Sequence, residues 1–303
     1  MEYALRTNAL TKVYHGKYAV SKVTMNVGRG EIYGLIGKNG AGKTTLMKMI
    51  MGLAAPGTGT IELFGSTSLD EQRKRLGCII ESPALYPYMT ALQNLENHRI
   101  LLGLPDKGAP VKALQAVGLT YTGKKTVKHF SMGMKQRLSI AMALLGNPDF
   151  LVLDEPINGL DPTGIRDVRD LLLKLNKEDG ITILISSHIL GELYKIATCY
   201  GILNDGMLVE EFTKDELELR CRRCLKVEVD DAKQACILIE ELFHTRDYDV
   251  LDGHIIRIFG QDIDSGLLNK ALTGSGITVK TIQSSGEDLE GYFMERMGGT
   301  KHA

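Results

Sequence analysis

The chain has 303 residues, of which 44% are apolar and 24% are charged, as expected for a folded protein of about two domains. Its 36 Lys and Arg nearly balance 37 Asp and Glu, giving a net charge of −1, so we expect no nucleic-acid partner. No apolar run has the length of a membrane span and the N-terminal residues lack the pattern of a secretion signal, so we expect neither feature.

Glycine is the unusual component of the composition. The 33 glycines make up about 11% of the chain, against about 7% in average proteins. Ten of them lie between Gly28 and Gly65, so this stretch must contain turns or close approaches of the backbone that side chains would prevent.

The first predicted strand of the main domain, 32–36, leads into a phosphate-binding loop. The loop fits the pattern G-x-x-x-x-G-K-[ST] and opens a predicted helix. Its glycines let backbone N–H groups approach phosphate oxygens, Lys43 reaches the β- and γ-phosphates, and the Thr44 hydroxyl ligates Mg²⁺. We assign the loop and the residue after it to ATP binding: Gly37, Lys38, Asn39, Gly40, Ala41, Gly42, Lys43, Thr44 and Thr45.

Two carboxylates follow the apolar strand predicted at 150–153. In P-loop enzymes an Asp at the end of such a strand holds Mg²⁺, so Asp154 takes that role. The next residue, Glu155, then faces the γ-phosphate and can act as the general base for the attacking water. Further strands at 76–80 and 182–185 complete a mainly parallel α/β sheet, and Asp205-Gly206 predicts a hairpin turn after it.

Beyond residue 215 the pattern changes to a small α+β domain. We predict strands at 225–229, 255–258 and 277–282, and helices at 232–243, near 267–272 and at 288–296. The domain boundaries are therefore 1–215 and 216–303. The five cysteines of the chain are too sparse for a disulfide framework, and Cys221 and Cys224, lacking a second pair, predict two reduced thiols rather than a zinc site.

The stretch before the strand that ends in Asp154 and Glu155 carries a family resemblance. Residues 130–137 keep Ser131, Gly133, Gln136 and Arg137 of the Leu-Ser-Gly-Gly-Gln signature that marks the ATP-binding-cassette (ABC) ATPases, and depart from it at Met132 and Met134. Further motifs in register with that family cover about residues 1–215. They are the aromatic at Tyr14, the loop 158–161 after Glu155, and the histidine of Ser186-Ser187-His188.

The resemblance implies a P-loop fold with a β-rich N-terminal subdomain and a helical insertion around 85–145. It also implies that two chains face each other head to tail as a homodimer. ATP would lie between the P-loop of one copy and Ser131 and Gly133 of the other. Tyr14 would stack on adenine, and His188 would contact the γ-phosphate beside Glu155.

One departure from the family pattern narrows the group of ABC ATPases that the chain resembles. Most ABC ATPases carry Gln after the strand that here is 76–80, whereas this chain carries Glu81. In this respect, and in its C-terminal appendage, the chain is similar to the exporter ATPases of bacitracin and lantibiotic resistance. A carboxylate ligates Mg²⁺ more strongly than an amide, so we assign Glu81 to the metal with Thr44 and Asp154. We expect Glu81 to tune the coupling of hydrolysis to the membrane partner rather than to act as the base. A tolerated exchange without a special role is the alternative.

The function implied is ATP hydrolysis that drives a separate membrane permease, exporting antimicrobial peptides, with the chain on the cytoplasmic face of the membrane. The helical insertion with 81–88 is the expected docking surface. The alternative is a soluble ABC ATPase acting on nucleic acid or ribosomes, which the single P-loop and neutral charge disfavour. An importer ATPase is a further rival. The sequence leaves the substrate and the role of the C-terminal domain open.

Overall fold

The computed structural model of the protein describes residues 2–81, 85–221, 224–259, 263–285 and 292–293. The chain divides into two compact units at the bond between Lys214 and Asp215. In the part of the chain that is described, no helix is both long and apolar enough to cross a membrane.

The first unit contains nine strands, seven α-helices and two short 3-10 helices (Thr120–Thr122 and Val127–His129) within its described residues. In chain order the strands are β1 (Tyr3–Tyr14), β2 (Lys17–Gly28), β3 (Ile32–Ile36), β4 (Thr58–Leu63), β5 (Leu76–Ile79), β6 (Phe150–Asp154), β7 (Thr182–Ser187), β8 (Cys199–Asn204) and β9 (Met207–Thr213). The helices are α1 (Lys43–Met51), α2 (Leu69–Arg73), α3 (Ala91–Leu101), α4 (Ala109–Ala116), α5 (Met132–Leu144), α6 (Pro162–Asp179) and α7 (Leu190–Ile196).

The central sheet has six strands in the order β5-β6-β7-β3-β8-β9, and only β9 runs antiparallel to its neighbour. Every residue of β3, β6 and β7 is buried, as expected for parallel strands covered on both faces. Because the carboxyl ends of β3, β6 and β7 lie side by side, the residues that follow them meet at one edge of the sheet. The predicted parallel α/β sheet is thus confirmed.

A second sheet of three antiparallel strands, β2-β1-β4, forms the β-rich subdomain. Its inner face and the buried face of α1 share one apolar core with the central sheet, including Leu5, Val27, Leu46 and Ile61. The β8–β9 hairpin turns at Asp205 and Gly206, both with positive φ (46° and 77°), the geometry that an Asp-Gly turn supplies.

A buried polar pair links β3 to β9. The Tyr33 hydroxyl donates to Glu211 Oε1 at 2.7 Å, and the Asn26 amide of β2 donates to the same oxygen at 3.3 Å. Burial raises the pKa of Glu211, and burial together with the Glu211 charge raises that of Tyr33. Both effects are expected where an ionisable group is removed from water.

The helical insertion consists of α3, α4 and α5, which pack on one another. Local capping sets where these helices begin. Thr90 and Gln93 form a reciprocal capping box at the start of α3, and the Ser131 hydroxyl accepts from the Met134 amide at the start of α5. Each such cap contributes about 1 kcal/mol to the helix it starts.

The second unit has the order β-α-β-β-α-β after a short helix. Its elements are α8 (Lys214–Cys221), β10 (Cys224–Val229), α9 (Ala232–Phe243), β11 (Tyr248–Leu251), β12 (Ile255–Phe259), α10 (Ser265–Gly274) and β13 (Val279–Ser285). The strands form an antiparallel sheet in the order β11-β12-β10-β13, the ferredoxin-like arrangement of two interleaved β-α-β units.

The α+β prediction for this unit is confirmed, with one strand missed. β11 is only four residues long and lies at the edge of the sheet, so it has the minimum length over which apolar alternation can mark a strand. The predicted helix at 288–296 lies outside the described residues except for Tyr292 and Phe293, which are helical and buried.

Candidate nucleotide site

The loop between β3 and α1 depends on glycine at two points of close approach. Gly42, the residue before α1, has φ of 105°, and a Cβ there would lie 2.2 Å from the Ala19 carbonyl oxygen. A Cβ on Gly37 would lie 2.5 Å from the carbonyl oxygen of Leu203. Neither position can hold a side chain without moving backbone. The loop therefore brings its backbone N–H groups to the N-terminus of α1, where an anion is favoured.

Lys43 is held inside this loop. Only 5% of the residue is exposed, and its Nζ donates to the carbonyl oxygens of Gly37 at 2.7 Å and Lys38 at 3.3 Å. Nζ also lies 3.2 Å from Glu155 Oε1. The ammonium group is thus placed where the loop would receive phosphate oxygens, with the predicted general base as its ion-pair partner.

Thr44 and Asp154 form the next pair. The Thr44 hydroxyl donates to Asp154 Oδ2 at 2.6 Å, and the Ser186 hydroxyl donates to Asp154 Oδ1 at 2.6 Å. A hydroxyl and a carboxylate in contact at the mouth of a phosphate loop are the hard oxygen ligands that Mg²⁺ prefers. These residues therefore fit the metal that the P-loop implies.

Glu155 is fixed from both its backbone and its side chain. Its amide donates to Ser186 Oγ at 2.9 Å, its φ is 50°, and its Oε2 lies 2.7 Å from His188 Nδ1. Its buried Oε1 accepts no hydrogen bond from any residue that the structure describes, although Lys43 is near. One carboxylate oxygen is therefore oriented by His188, and the other lies beside the Lys43 ammonium.

Ser186 was not among the predicted site residues, yet it joins Asp154 to Glu155. The signal for it was present in the sequence. Ser186 opens Ser-Ser-His at the carboxyl end of β7, and β7 pairs with β6 so that Asp154 lies opposite Ser186. Adjacent parallel strands place their end residues together, so the strand order would have identified it.

Glu81 lies two residues beyond β5 with φ of 63°, and its Oε1 is 2.5 Å from Lys48 Nζ. Lys48 is four residues after Thr44 in α1, so both project from one face of the helix. The hydrogen bond to Glu81 raises the pKa of Lys48. The structure therefore bonds Glu81 to Lys48, a lysine of α1 that the sequence prediction did not include.

The remaining predicted residues lie at the ends of two other elements. Tyr14 ends β1 with 43% of the residue exposed, and Lys12 Nζ lies 5.1 Å from its ring centre. Ser131 and Gly133 lie at the N-terminus of α5, which packs against α6 and β5. The structure thus gathers Lys43, Thr44, Asp154, Glu155 and His188 into one bonded group, and Ser131 and Gly133 into a separate helix start.

This combination of sheet, loop and paired carboxylates defines a P-loop nucleotide hydrolase. Its similarity to known proteins identifies the family within that class. The family described as "ABC transporter" matches residues 20–158. The chain is 42% identical over 302 residues to the bacitracin transport ATP-binding protein BcrA of Bacillus licheniformis, covering 99% of both chains. It is 40% identical over 214 residues to the lantibiotic transport ATP-binding protein SrtF of Streptococcus pyogenes, covering 71% of this chain and 93% of that one.

Among solved structures, a dimeric ATP-binding cassette in a post-hydrolysis state with ADP and Pi superposes with a TM-score of 0.60. It is 27% identical to this chain, and the match covers 69% of this chain and 98% of the other. The chain therefore belongs to the ABC transporter family and is an ATPase of that family.

Proposed function

We propose that this protein is the nucleotide-binding subunit of an exporter of antimicrobial peptides of the bacitracin or lantibiotic type, acting on the cytoplasmic face of the membrane with a separate permease. The observation that carries the proposal is the match to a bacitracin transport protein over 99% of the chain, which extends through the C-terminal unit. The soluble alternative is not favoured, because these relatives are named for transport.

The residues of the site have separate tasks in ATP hydrolysis. Mg²⁺ bound with ATP supplies positive charge that offsets the charge on the phosphate oxygens. Thr44 and Asp154, in contact at 2.6 Å, would hold the metal, with Glu81 as the additional carboxylate. Gly37, Lys38, Asn39, Gly40, Ala41, Gly42 and Thr45 surround the phosphates as the loop and first turn of α1, and Tyr14 stacks on the base.

Lys43 and Glu155 change partners when ATP enters. Phosphate oxygens take over the Lys43 ammonium, which removes the charge 3.2 Å from Glu155 Oε1. That oxygen then accepts a proton from the attacking water, while His188 holds Oε2. The water oxygen bonds to the γ-phosphorus as the bond to the bridging oxygen breaks.

The second half of the site comes from another copy. Ser131 and Gly133 lie at the N-terminus of α5, whose dipole favours an anion. A head-to-tail homodimer places that helix against the γ-phosphate bound by the first copy. The structural relative described as dimeric supports the formation of a homodimer.

The permease docks on the helical insertion. A cavity of about 260 Å³ lies between α3, β5 and the end of α1, lined by Leu53, Ile80, Tyr86, Leu101 and Met142 among others. Its rim exposes large apolar side chains, with Leu101 70% and Leu53 65% exposed. Monomeric proteins rarely gather exposed apolar groups in this way outside interaction sites.

The proposal is tested by complementing a strain that lacks this chain and its permease. The restored pair should raise the inhibitory concentration of bacitracin or a lantibiotic, while a pair carrying Glu155→Gln should not. Leu101→Glu should lower permease co-purification, whereas the control Val209→Glu, at an exposed apolar position of β9 outside the helical insertion, should not. Unchanged resistance to every cell-envelope peptide, with the permease bound and ATP hydrolysed, would contradict peptide export.

A further inference from the structure

The second unit carries an open groove between α9 and β11 that the proposed function does not use. The groove encloses about 680 Å³ and is lined by Cys236, Ile237, Tyr248 and Val250, with Lys233 and Glu241 at its rim. Ile237 is 59% exposed and Val250 is 43% exposed. We call this the α9–β11 surface. It combines exposed apolar groups with a polar rim, which is the composition of an interaction site.

The wall of this surface is held in place before any partner binds. The Tyr248 hydroxyl donates to Glu240 Oε1 at 2.6 Å, tying β11 to α9, and Arg246 pairs with Glu240 Oε2 at 3.0 Å. A preformed surface loses less conformational entropy on association than a mobile one.

β11 is an edge strand. Within the described residues it pairs only with β12, so its other side presents unpaired backbone N–H and C=O groups. Such an edge is a template for another strand. A second β11 running antiparallel would satisfy these groups and join two four-stranded sheets into one.

The charges on α9 indicate that the strand pairing with β11 is β11 of a second copy. Lys233, Ile237 and Glu241 recur at intervals of four, so they lie along one face of the helix. Lys233 and Glu241 are about 12 Å apart along the axis, too far to pair with each other, and neither forms an ion pair with a described residue. A two-fold axis beside Ile237 would set each Lys233 against Glu241 of the second copy.

We propose that the α9–β11 surface binds the same surface of a second copy of this chain, about a two-fold axis, without nucleotide. The two β11 strands pair antiparallel, Ile237 and Val250 of both copies fill the groove, and two Lys233–Glu241 pairs close its ends. A self-complementary patch of this kind is what a two-fold interface requires. The contact is separate from the ATP-dependent one, because it uses none of the P-loop or α5 residues.

The test is the mass of the full-length chain without nucleotide, measured by sedimentation at about 1–100 µM. The wild-type chain should be dimeric and Ile237→Glu monomeric. Lys233→Glu and Glu241→Lys alone should each raise the dissociation constant about tenfold, because each opposes like charges, and the double variant should restore dimerisation. Leu267→Glu, at an exposed apolar position of α10, is the matched control and should leave the dimer intact.

A monomeric wild-type chain at 100 µM overturns the inference, as does a dimer that survives Ile237→Glu or a charge reversal that the double variant fails to rescue. Circular dichroism of each variant separates lost association from lost folding. If Ile237→Glu instead releases a permease while the mass is unchanged, the surface belongs to the permease and the inference is also wrong. ATP-induced dimerisation of a Glu155→Gln, Ile237→Glu chain tests the proposed function independently.

Discussion

The P-loop end and the α5 end of the first unit differ in how their polar groups are used. At the P-loop end, Lys43 pairs with Glu155, Thr44 with Asp154, and Ser186 bonds both acidic residues. At the α5 end, Ser131 caps its own helix, and a Cβ on Gly133 would meet nothing closer than the Gly164 Cα at 3.6 Å. The polar groups of the P-loop end are bonded to one another within the chain, whereas the α5 end leaves space beside Gly133.

The difference indicates how each surface meets ATP. At the P-loop end the ligand must exchange contacts that already exist, so substitutions there should alter binding or chemistry within one copy. At the α5 end nothing needs to be exchanged, so substitutions should act on the association of two copies. Substitutions at Glu155, Gly133 and Ser186 separate these two kinds of effect.

The largest effect is expected from Glu155→Gln. An amide keeps the size of the side chain and can bond His188, but it cannot accept the proton of the attacking water. The hydrolysis rate should fall about 10²–10⁴-fold while the affinity for ATP is retained. Phosphate release and binding of a fluorescent ATP analogue measure the two quantities. A residual rate within tenfold of the wild type would remove Glu155 from the role of base.

The next effect is expected at Gly133. A Cβ has room there, so Gly133→Ala should leave folding and ATP binding unchanged. Gly133→Asp places a carboxylate at the start of α5, opposite the phosphates bound by the other copy. Since like charges across an interface cost several kcal/mol, ATP-dependent dimerisation should weaken about 100-fold or more.

The affinity of a single copy for ATP should be the same in both Gly133 variants, which sedimentation and nucleotide titration together can establish. Loss of ATP affinity in the Asp variant would contradict the division between the two surfaces, because it would place Gly133 at the nucleotide site of its own chain.

Ser186 tests the bonded surface with a smaller change. Ser186→Ala removes the hydrogen bond to Asp154 Oδ1 and the acceptor of the Glu155 amide in one substitution. Outer residues that orient metal ligands typically change metal affinity or activity 10–100-fold when lost. We expect about a tenfold fall in hydrolysis with a higher Mg²⁺ requirement. Ser187→Ala is the matched control, since Ser187 Oγ accepts only from the nearby Ile189 amide among the contacts described.

The P-loop fold and its chemistry could be predicted from the sequence because each motif directly follows or ends a predicted strand. One buried strand ends in Asp154, and another leads into Gly37. In each case the sequence pattern indicates both the strand and the function of the residues at its carboxyl end. The partners of these residues were not predictable in the same way. Ser186 depends on the order of strands in the sheet, and Lys48 depends on which face of α1 meets the end of β5.

The C-terminal unit shows the same limit more strongly. Its helices and most strands follow from apolar periodicity, but β11 is too short to be recognised. The α9–β11 surface exists only once that strand is placed beside α9. A surface formed by the packing of two elements, even consecutive ones, leaves no periodic pattern in the sequence.

The smallest effect is expected at the ion pair of Glu81 and Lys48, which tests how the P-loop end binds Mg²⁺. Lys48 Nζ lies 2.5 Å from Glu81 Oε1, so a metal ion that uses Glu81 must displace an ammonium group. The pair is largely exposed, with 66% of the Glu81 side chain accessible, and exposed ion pairs are weak. Lys48→Gln should therefore lower the half-saturating Mg²⁺ concentration for nucleotide binding only about threefold.

Glu81→Gln should raise that concentration, and in the Glu81→Gln background Lys48→Gln should have no further effect. The measurement is a titration of a fluorescent ATP analogue at stepped Mg²⁺ concentrations in the Glu155→Gln chain, where hydrolysis does not interfere. Equal shifts for Lys48→Gln with and without Glu81 would mean that Lys48 acts by its charge alone. Glu81 would then be an exchange without a role at the metal, and the P-loop end would bind Mg²⁺ through Thr44 and Asp154 only.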